Sequence, residues 1–270
     1  MASLVGKVAI VTGAGRYRGI GRHIALTLAR HGAEVVVTGS GRPPDSLPEE
    51  ERAIGWRDVD SVAEEVRALG RPALPLVIDV RRPEEAQRLV EETMAHFGRI
   101  DILVNNAAAG RGRDRVPIVD LEESEWRRVL EVNLTGTFLV TRAVGRAMIQ
   151  QNEGGSIVNI SSILGRRGMA NNAAYATTKA GIILFSQVLA TEMAPYRINV
   201  NAVCPGLVDT YRMDDVLRSD ALREGVLRMI PMGRPCRPEE VGELVAYLCS
   251  PQGSYIHGQA ITIDGGMVMG

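Results

Sequence analysis

Residues 8–22 read VAIVTGAGRYRGIGR, and this stretch decides the fold class of the chain. Its first four residues are apolar and mostly branched, as in a strand that is covered on both faces. The glycines that follow permit a tight turn, and residues 21–31 have the apolar spacing of a helix. A strand that leads through a glycine loop into a helix is typical of α/β sheets that bind a phosphate at the helix N-terminus. Glycines that serve only the turn are the alternative.

The alternation of strand and helix continues to the end of the chain. Further runs with the apolar pattern of buried strands lie at residues 34–38, 73–80, 102–105, 156–161, 198–204 and 261–263. Helical patterns lie between them, at residues 59–69, 83–97, 123–150, 173–193 and 238–248. This alternation predicts an α/β fold, a doubly wound parallel seven-stranded sheet with helices on both faces.

Two stretches interrupt the alternation. Residues 40–60 contain Pro43, Pro44 and Pro48 where a short turn would suffice, and we interpret them as an inserted loop. Residues 211–235 mix methionines and leucines with charges, and we interpret them as an amphipathic lid over a substrate. Because we find no linker and no repeat, we assign residues 1–270 to a single dinucleotide-binding domain.

Composition excludes several functional classes. The 270 residues are 45% hydrophobic and 23% charged, and 31 basic residues nearly balance 32 acidic ones. We therefore expect no nucleic-acid partner and no membrane partner. Three widely spaced cysteines indicate neither a disulfide framework nor a zinc site, and we expect no metal. Residues 1–7 lack the pattern of a signal peptide, so we expect a cytoplasmic protein.

Lysine is rare: Lys7 and Lys179 are the only two among the 31 basic residues. Lys179 follows Tyr175 by one helical turn, so the ammonium and the phenol share a helix face. A nearby cation favours the phenolate, which makes the pair a plausible general acid and base. Ser162 ends a strand thirteen residues before Tyr175, where α/β sheets place their ligands. A packed tyrosine with a solvated lysine is the alternative.

Charge at the end of the second strand indicates the cofactor. An acidic residue there would bind the ribose hydroxyls of NAD, but residues 37–42 read VTGSGR. Arg16, Arg18 and Arg42 can instead supply positive charge to a 2′-phosphate, with solvated side chains as the alternative. We therefore predict that NADP(H) is preferred and that NAD(H) is possible.

Taken together, these motifs resemble the short-chain dehydrogenase/reductase family, in its single-domain branch, from Gly6 to Gly266. The resemblance also includes residues 79–80, 105–107, 132–134, 205–210 and 263–266, which read DV, NNA, VNL, PGLVDT and IDGG. It implies a Rossmann-type fold and an NAD(P)(H)-dependent oxidoreductase. Such an enzyme transfers a hydride between nicotinamide and a carbonyl or secondary alcohol (EC 1.1.1.-).

The resemblance also implies site residues. The catalytic residues are Asn133, Ser162, Tyr175 and Lys179: Tyr175 is the acid/base, Lys179 holds the nicotinamide ribose, Ser162 binds the reacting oxygen and Asn133 positions a water. The cofactor-binding residues are Gly13, Gly15, Arg16, Arg18, Gly19, Ile20, Ser40, Arg42, Asp79, Val80, Asn106, Ala107, Tyr175, Lys179, Pro205, Gly206, Val208 and Thr210. Residues 123–150 and 173–193 resemble the helices through which most relatives form homotetramers. Five residues separate Gly13 from Gly19, against three in the common family pattern, so the loop is two residues longer.

The substrate is less well defined by the sequence. Five arginines follow strand ends and could bind an anionic substrate, although solvated loops explain them as well: Arg111, Arg113, Arg115, Arg166 and Arg167. The apolar residues of the lid suggest an apolar substrate instead, with packing on the sheet or on another subunit as the alternative. We favour a small-molecule alcohol, sugar or keto ester.

Two other functions remain as alternatives. Many relatives with these motifs are 3-oxoacyl-[acyl-carrier-protein] reductases, but the two arginines with which the family docks the carrier align with Glu153 and Tyr196. A non-catalytic nucleotide-sensing regulator is a remote alternative, because the same fold serves both functions.

Overall fold

The computed structural model describes residues 3–269, in which seven parallel strands form one sheet. The strand order is β3-β2-β1-β4-β5-β6-β7. The sequence order reverses between β1 and β4, so the predicted doubly wound, Rossmann-type sheet is confirmed. The strands are β1 Val8–Val11, β2 Glu34–Gly39, β3 Ala73–Val77, β4 Ile102–Asn105, β5 Gly155–Ile160, β6 Ile198–Pro205 and β7 Ala260–Ile263.

Helices cover both faces of the sheet and create a core on each side. Ile24 and Leu28 belong to one buried cluster, whereas Leu89 and Val140 belong to the other. Strands between two apolar layers need side chains that are apolar on both faces, which explains their continuous hydrophobic runs. The helices are α1 Ile20–Arg30, α2 Glu49–Ala53, α3 Val59–Ala68, α4 Pro83–Phe97, α5 Glu123–Leu130, α6 Gly136–Gln151, α7 Ala173–Met193, α8 Asp214–Leu217, α9 Asp220–Leu227 and α10 Pro238–Leu248.

Two predicted elements differ from the structure. Residues 123–150 are not one regular helix, because a π-helical turn at Glu131–Thr135 separates α5 from α6. Strand β3 ends at Val77 rather than at residue 80. The chain turns there, where the Asp79 carboxylate accepts hydrogen bonds from the backbone and guanidinium groups of Arg81.

The inserted segment packs on the lengthened glycine loop. Buried Glu51, in α2, accepts a hydrogen bond from Arg16 Nε at 2.8 Å and one from the Tyr17 amide at 3.0 Å. The Trp56 indole donates to the Gly15 carbonyl at 2.6 Å, and its ring meets Tyr17 edge to face. The two departures from the common family pattern therefore support each other.

Residues 211–235 contain α8 and α9 and contact the glycine loop. Arg18 pairs with Asp209 and Asp214, each at 2.8 Å, and the Arg16 guanidinium lies 3.6 Å from the centre of the Tyr211 ring. These contacts hold the beginning of the proposed lid across the carboxyl end of β1. Among residues 3–269, no helix is both long enough and apolar enough to span a bilayer.

Lys7 has a structural role that the sequence did not reveal. Its ammonium donates to Asp101 Oδ1 at 2.9 Å, and Asp101 is buried at the start of β4. The other carboxylate oxygen of Asp101 accepts the Val8 amide and the Arg99 guanidinium. Lys7 thus joins the beginnings of β1 and β4, at the sheet edge opposite the candidate site.

Candidate active site

The four predicted catalytic residues lie near the carboxyl end of the central strands. Ser162 follows β5, Tyr175 and Lys179 lie in the first two turns of α7, and Asn133 lies in the π-helical turn before α6. Residues 161–165 contact α7 through the Ser161 hydroxyl, which donates to the Lys179 carbonyl at 2.7 Å. The structure therefore brings together groups that are separated by up to 46 positions in the sequence.

Tyr175 is surrounded by positive charge. Lys179 Nζ lies 5.6 Å from the centre of its ring, and the Arg115 and Arg212 guanidinium carbons lie 4.5 and 5.9 Å from it. Burial alone would raise the pKa of the Tyr175 phenol. The charges of Lys179, Arg212 and Arg115 and a hydrogen bond from Ser162 outweigh this effect and hold that pKa below its ordinary value. The phenol is therefore suited to exchange a proton with a bound substrate.

Lys179 is held in place by the sheet. Its side chain is buried, and Nζ donates to the Ile160 carbonyl at the end of β5 at 2.7 Å. Burial lowers the pKa of Lys179, and the neighbouring Tyr175 opposes that shift. An ammonium has three donors, so Lys179 keeps others for a ligand and for the phenol.

Asn133 connects the loop after β4 to α7. Its amide oxygen accepts the Ala109 amide at 2.8 Å, and its nitrogen donates to the Thr178 hydroxyl at 3.0 Å. Asn133 is fully buried, so these bonds form in a dry environment. We therefore assign the side chain a role in fixing the position of α7, next to Lys179. Its predicted role with a water stays a prediction.

The five arginines expected near the substrate are not equivalent. Arg115 reaches Tyr175, but Arg111 pairs with Asp215 at 2.7 Å and Arg166 donates to the Ala260 carbonyl at 2.6 Å. Sequence reasoning missed Arg212, whose guanidinium donates to the Ala109 carbonyl at 2.8 Å. Its position two residues after the predicted cofactor contact Thr210 was the available signal.

A groove of about 380 Å³ extends from the glycine loop to Ala109 and Arg212, next to Tyr175. Gly13 lines this groove. Its φ is +66°, and a Cβ at this position would lie 2.7 Å from the Ala107 Cα, so a larger residue would not fit. No side chain caps α1, and no acidic residue lies in its first turn, so its first amides are available to donate hydrogen bonds to a phosphate. The groove therefore fits a dinucleotide. It is lined by these predicted residues: Gly13, Gly15, Arg16, Gly19, Ile20, Ser40, Arg42, Asp79, Val80, Asn106, Ala107 and Thr210.

Other predicted cofactor contacts lie apart from that groove lining. Arg18 pairs with Asp209 and with Asp214 of the proposed lid, and Val208, which is buried, pairs with Cys236 in an isolated bridge. Pro205 ends β6, and Gly206 follows it, with its amide bonded to the Ile263 carbonyl. Tyr175 and Lys179 lie deeper, on the substrate side.

The end of the groove near β2 carries charges that the sequence only partly revealed. The buried carboxylate of Asp58, from the inserted segment, accepts the Arg42 amide at 3.3 Å and fills the space where a Cβ of Gly15 would lie. The sequence places no acid at the end of β2, but the fold brings this one close. Burial raises the pKa of the Asp58 carboxyl, and Asp58 is not among the residues that line the groove. Arg16 and Arg42 both line the groove, but Arg16 is already paired with Glu51.

A larger cavity of about 650 Å³ lies at the opposite edge of the sheet. It is lined by Lys7, Asp101, Ser156 and His257 and contains none of the predicted site residues. Because open α/β sheets bind ligands at the carboxyl ends of their strands, we assign the site to the smaller groove.

Known proteins resemble this chain over nearly its full length. A family model described as enoyl-(acyl carrier protein) reductase matches residues 13–268. The 3-oxoacyl-[acyl-carrier-protein] reductase of Aquifex aeolicus is 43% identical over 265 residues, 98% of each chain. A structure described as a 2-deoxy-D-gluconate 3-dehydrogenase from Agrobacterium tumefaciens with bound NADP is similar, with a TM-score of 0.84 at 32% identity, covering 98% of this chain and 97% of that one. A 7α-hydroxysteroid dehydrogenase complexed with NADH and 7-oxo glycochenodeoxycholic acid has a TM-score of 0.86 at 30% identity, covering 98% and 95%.

Proposed function

The chain belongs to the short-chain dehydrogenase/reductase family, and we propose that it interconverts a carbonyl and a secondary alcohol at Tyr175 with NADP(H) as the preferred cofactor. The single observation that carries this proposal is the set of three cations around the Tyr175 phenol, at 4.5, 5.6 and 5.9 Å from its ring centre. Positive charge around a half-buried phenol stabilises the phenolate, which is the form that accepts a proton. A tyrosine with only a packing role would not need it.

Each residue of the site has a defined role in the proposed mechanism. Ser162 and Tyr175 donate hydrogen bonds to the substrate oxygen and so orient the carbonyl. In reduction, the phenol transfers its proton to that oxygen; in oxidation, the phenolate takes the hydroxyl proton. Lys179, fixed by the Ile160 carbonyl, stabilises the phenolate and holds the ribose. When bound, the nicotinamide supplies or accepts the hydride.

The preference for NADP(H) rests on Arg42. Arg16 and Arg18 have carboxylate partners at 2.8 Å, but no hydrogen bond or ion pair engages the Arg42 guanidinium within the described part of the chain. Its amide is held by Asp58, so the residue is fixed while its charge stays available. A free guanidinium favours a 2′-phosphate through charge-assisted hydrogen bonds.

Steady-state kinetics with both cofactors test that preference. We expect kcat/KM to be higher with NADPH than with NADH, and Arg42→Gln to lower the NADPH value by about 10- to 100-fold with little effect on NADH. Arg52→Gln, at an exposed position in α2, is the matched control. A wild-type preference for NADH would overturn the NADP(H) assignment.

A panel of ketones, aldehydes and keto esters tests the reaction itself. We expect NADPH-dependent turnover of some members, and Tyr175→Phe should remove it while cofactor binding remains. Tyr255→Phe is the matched control, because Tyr255 is fully exposed. Undiminished turnover by Tyr175→Phe would refute the assignment of the acid/base. Binding of NADPH without turnover of any member would instead favour the nucleotide-sensing alternative.

A second candidate function follows from the Aquifex aeolicus relative, which is a 3-oxoacyl-[acyl-carrier-protein] reductase. Glu153, at one position where the family presents an arginine to the carrier, is paired with Arg99 at 2.9 Å. A carboxylate there repels an acidic carrier surface. We therefore expect a 3-oxoacyl thioester of pantetheine to react as well as the carrier-bound thioester. A kcat/KM that is much higher with the carrier protein would support the second function instead.

The assembly and compartment are further proposals. We propose a homotetramer in the cytoplasm, on the basis of the family resemblance of α5 to α7. Exposed apolar side chains on these helices, Phe138, Leu184 and Val188, support an interface there. Size-exclusion chromatography with light scattering tests the assembly, and a monomeric mass would contradict it.

A further inference from the structure

We propose that the substrate carries an anionic group, most simply a carboxylate, that binds between Arg115 and Arg212 beside Tyr175. This inference rests on the proposed function and specifies its substrate class. The two guanidiniums come from different segments: Arg115 follows β4, and Arg212 opens the segment after β6. The guanidinium carbons of Arg115 and Arg212 lie 4.5 and 5.9 Å from the centre of the Tyr175 ring. An anion held by both would place its neighbouring carbons at the acid/base.

The local charges do not balance without such a group. Lys179, Arg115 and Arg212 surround the phenol, whereas one carboxylate, that of Asp114, contacts Arg115 at 3.3 Å. Asp114 is shared, because Arg128 also approaches it at 3.6 Å. No ion pair engages Arg212 within residues 3–269. The site therefore holds an excess of positive charge in a partly dry environment, where an anion is bound more strongly than in water.

Both guanidiniums also have donors to spare. Arg115 Nε lies 3.3 Å from Asp114 but makes no hydrogen bond, no hydrogen bond engages the other guanidinium nitrogens of Arg115 within residues 3–269, and burial lowers the pKa of Arg115. Arg212 uses Nη2 to hold the Ala109 carbonyl at 2.8 Å, which fixes the side chain and leaves its other nitrogens for a ligand. Each guanidinium has five N–H donors and can bind a carboxylate with two of them.

Similarly sheltered arginines elsewhere have protein partners. Arg16, Arg18 and Arg22 each have a carboxylate oxygen at 2.6 to 2.8 Å. The chain thus pairs its sheltered guanidiniums with its own acids at the glycine loop but leaves Arg212 unpaired beside Tyr175. Solvated arginines in a loop do not explain this contrast, because Arg212 contacts the backbone of the loop after β4 and faces the phenol.

The ratio of kcat/KM between matched charged and neutral substrates tests the inference. The probes are hydroxyalkanoates with the hydroxyl on carbons 2 to 5, each compared with its own methyl ester, oxidised with NADP⁺. A second pair, dihydroxyacetone phosphate and dihydroxyacetone, distinguishes phosphate from carboxylate. We expect the wild type to favour at least one acid over its ester by about 10- to 100-fold, the effect of one or two charged hydrogen bonds.

Arg115→Met and Arg212→Met should each reduce that ratio toward one. The ratio is the informative quantity, because loss of either cation also raises the pKa of Tyr175 and slows both members of a pair equally. Arg127→Met, at an exposed arginine of α5, is the control and should keep the wild-type ratio. Because Arg212 also lines the groove assigned to the cofactor, the KM for NADP⁺ is measured in parallel, and we expect it to be unchanged in Arg212→Met.

The possible outcomes separate the inference from the function on which it rests. A ratio that is unchanged in both variants, or a wild type that prefers every ester, overturns the inference while the oxidoreductase assignment stands. A raised KM for NADP⁺ in Arg212→Met, with the ratio intact, also overturns it and assigns Arg212 to the cofactor. Turnover of neutral ketones but of no acid and no phosphate also overturns the inference, and the oxidoreductase assignment again stands. Absence of turnover with every substrate overturns the proposed function itself.

Discussion

Removal of the Lys179 charge should shift the proton equilibrium of Tyr175 by a predictable amount. Nζ lies 5.6 Å from the centre of the phenol ring, and Lys179 is buried while Tyr175 is half-buried. With an effective dielectric constant of about 20, two unit charges at that separation interact by roughly 3 kcal/mol. This energy corresponds to a factor of roughly 100 in an equilibrium constant. Lys179→Met should therefore raise the pKa of Tyr175, because the phenolate loses a stabilising cation.

The pH dependence of kcat/KM for alcohol oxidation measures this shift. Oxidation needs the phenolate, so the variant should be about 100-fold slower than the wild type at neutral pH and should recover as the pH rises. Reduction needs the protonated phenol, so its pH profile near neutrality should stay flat. Weaker ribose binding alone would raise the KM for the cofactor without moving the profile. An oxidation profile with the same midpoint in variant and wild type would refute the reasoning.

Lys179→Arg should keep the charge and the fold yet lose most activity, because a planar guanidinium does not fit a buried site built for an ammonium; full activity would show that charge alone suffices. Asp101→Asn should lower the unfolding free energy by about 1 to 2 kcal/mol, since it breaks the ion pairs of a buried carboxylate with the partly exposed Lys7 and Arg99. Burial raises the pKa of Asp101, but hydrogen bonds from Arg99, the Val8 amide and Lys7 hold that pKa below its ordinary value. Wild-type stability should therefore fall as the pH drops below about 4, and this fall should be smaller in the variant. Trp56→Phe should raise the KM for NADPH several-fold through loss of the hydrogen bond to the Gly15 carbonyl, worth about 1 kcal/mol; thermal melts and cofactor titrations check the last two.

The regular elements were predictable because their apolar periodicity is local. Helices α4, α7 and α10 and strand β4 have the predicted bounds. The π-helical turn was not predictable, because it depends on bonds from Asn133 to Ala109 and Thr178, which are distant in sequence. A helical pattern alone does not distinguish a π turn from an α turn.

The sequence indicated the acid/base pair, but it did not indicate how charges are shared around it. Glu51 would ordinarily be exposed, and its burial became possible only because the longer glycine loop presents Arg16 to it. Asp58 reaches the end of β2 from an insertion some twenty residues later. Arg212 lies in a segment without a strong pattern. These pairings are tertiary, so spacing along the chain does not reveal them.

The central claim is that Tyr175 is an acid/base whose pKa is lowered by the surrounding cations. This claim can be tested without a substrate. Ultraviolet titration of the wild type and of Tyr175→Phe, followed as a difference spectrum, isolates the ionisation of this one phenol. The account predicts that the difference spectrum shows a tyrosinate forming below the ordinary tyrosine pKa of about 10. A phenol that ionises at or above that value would contradict the account.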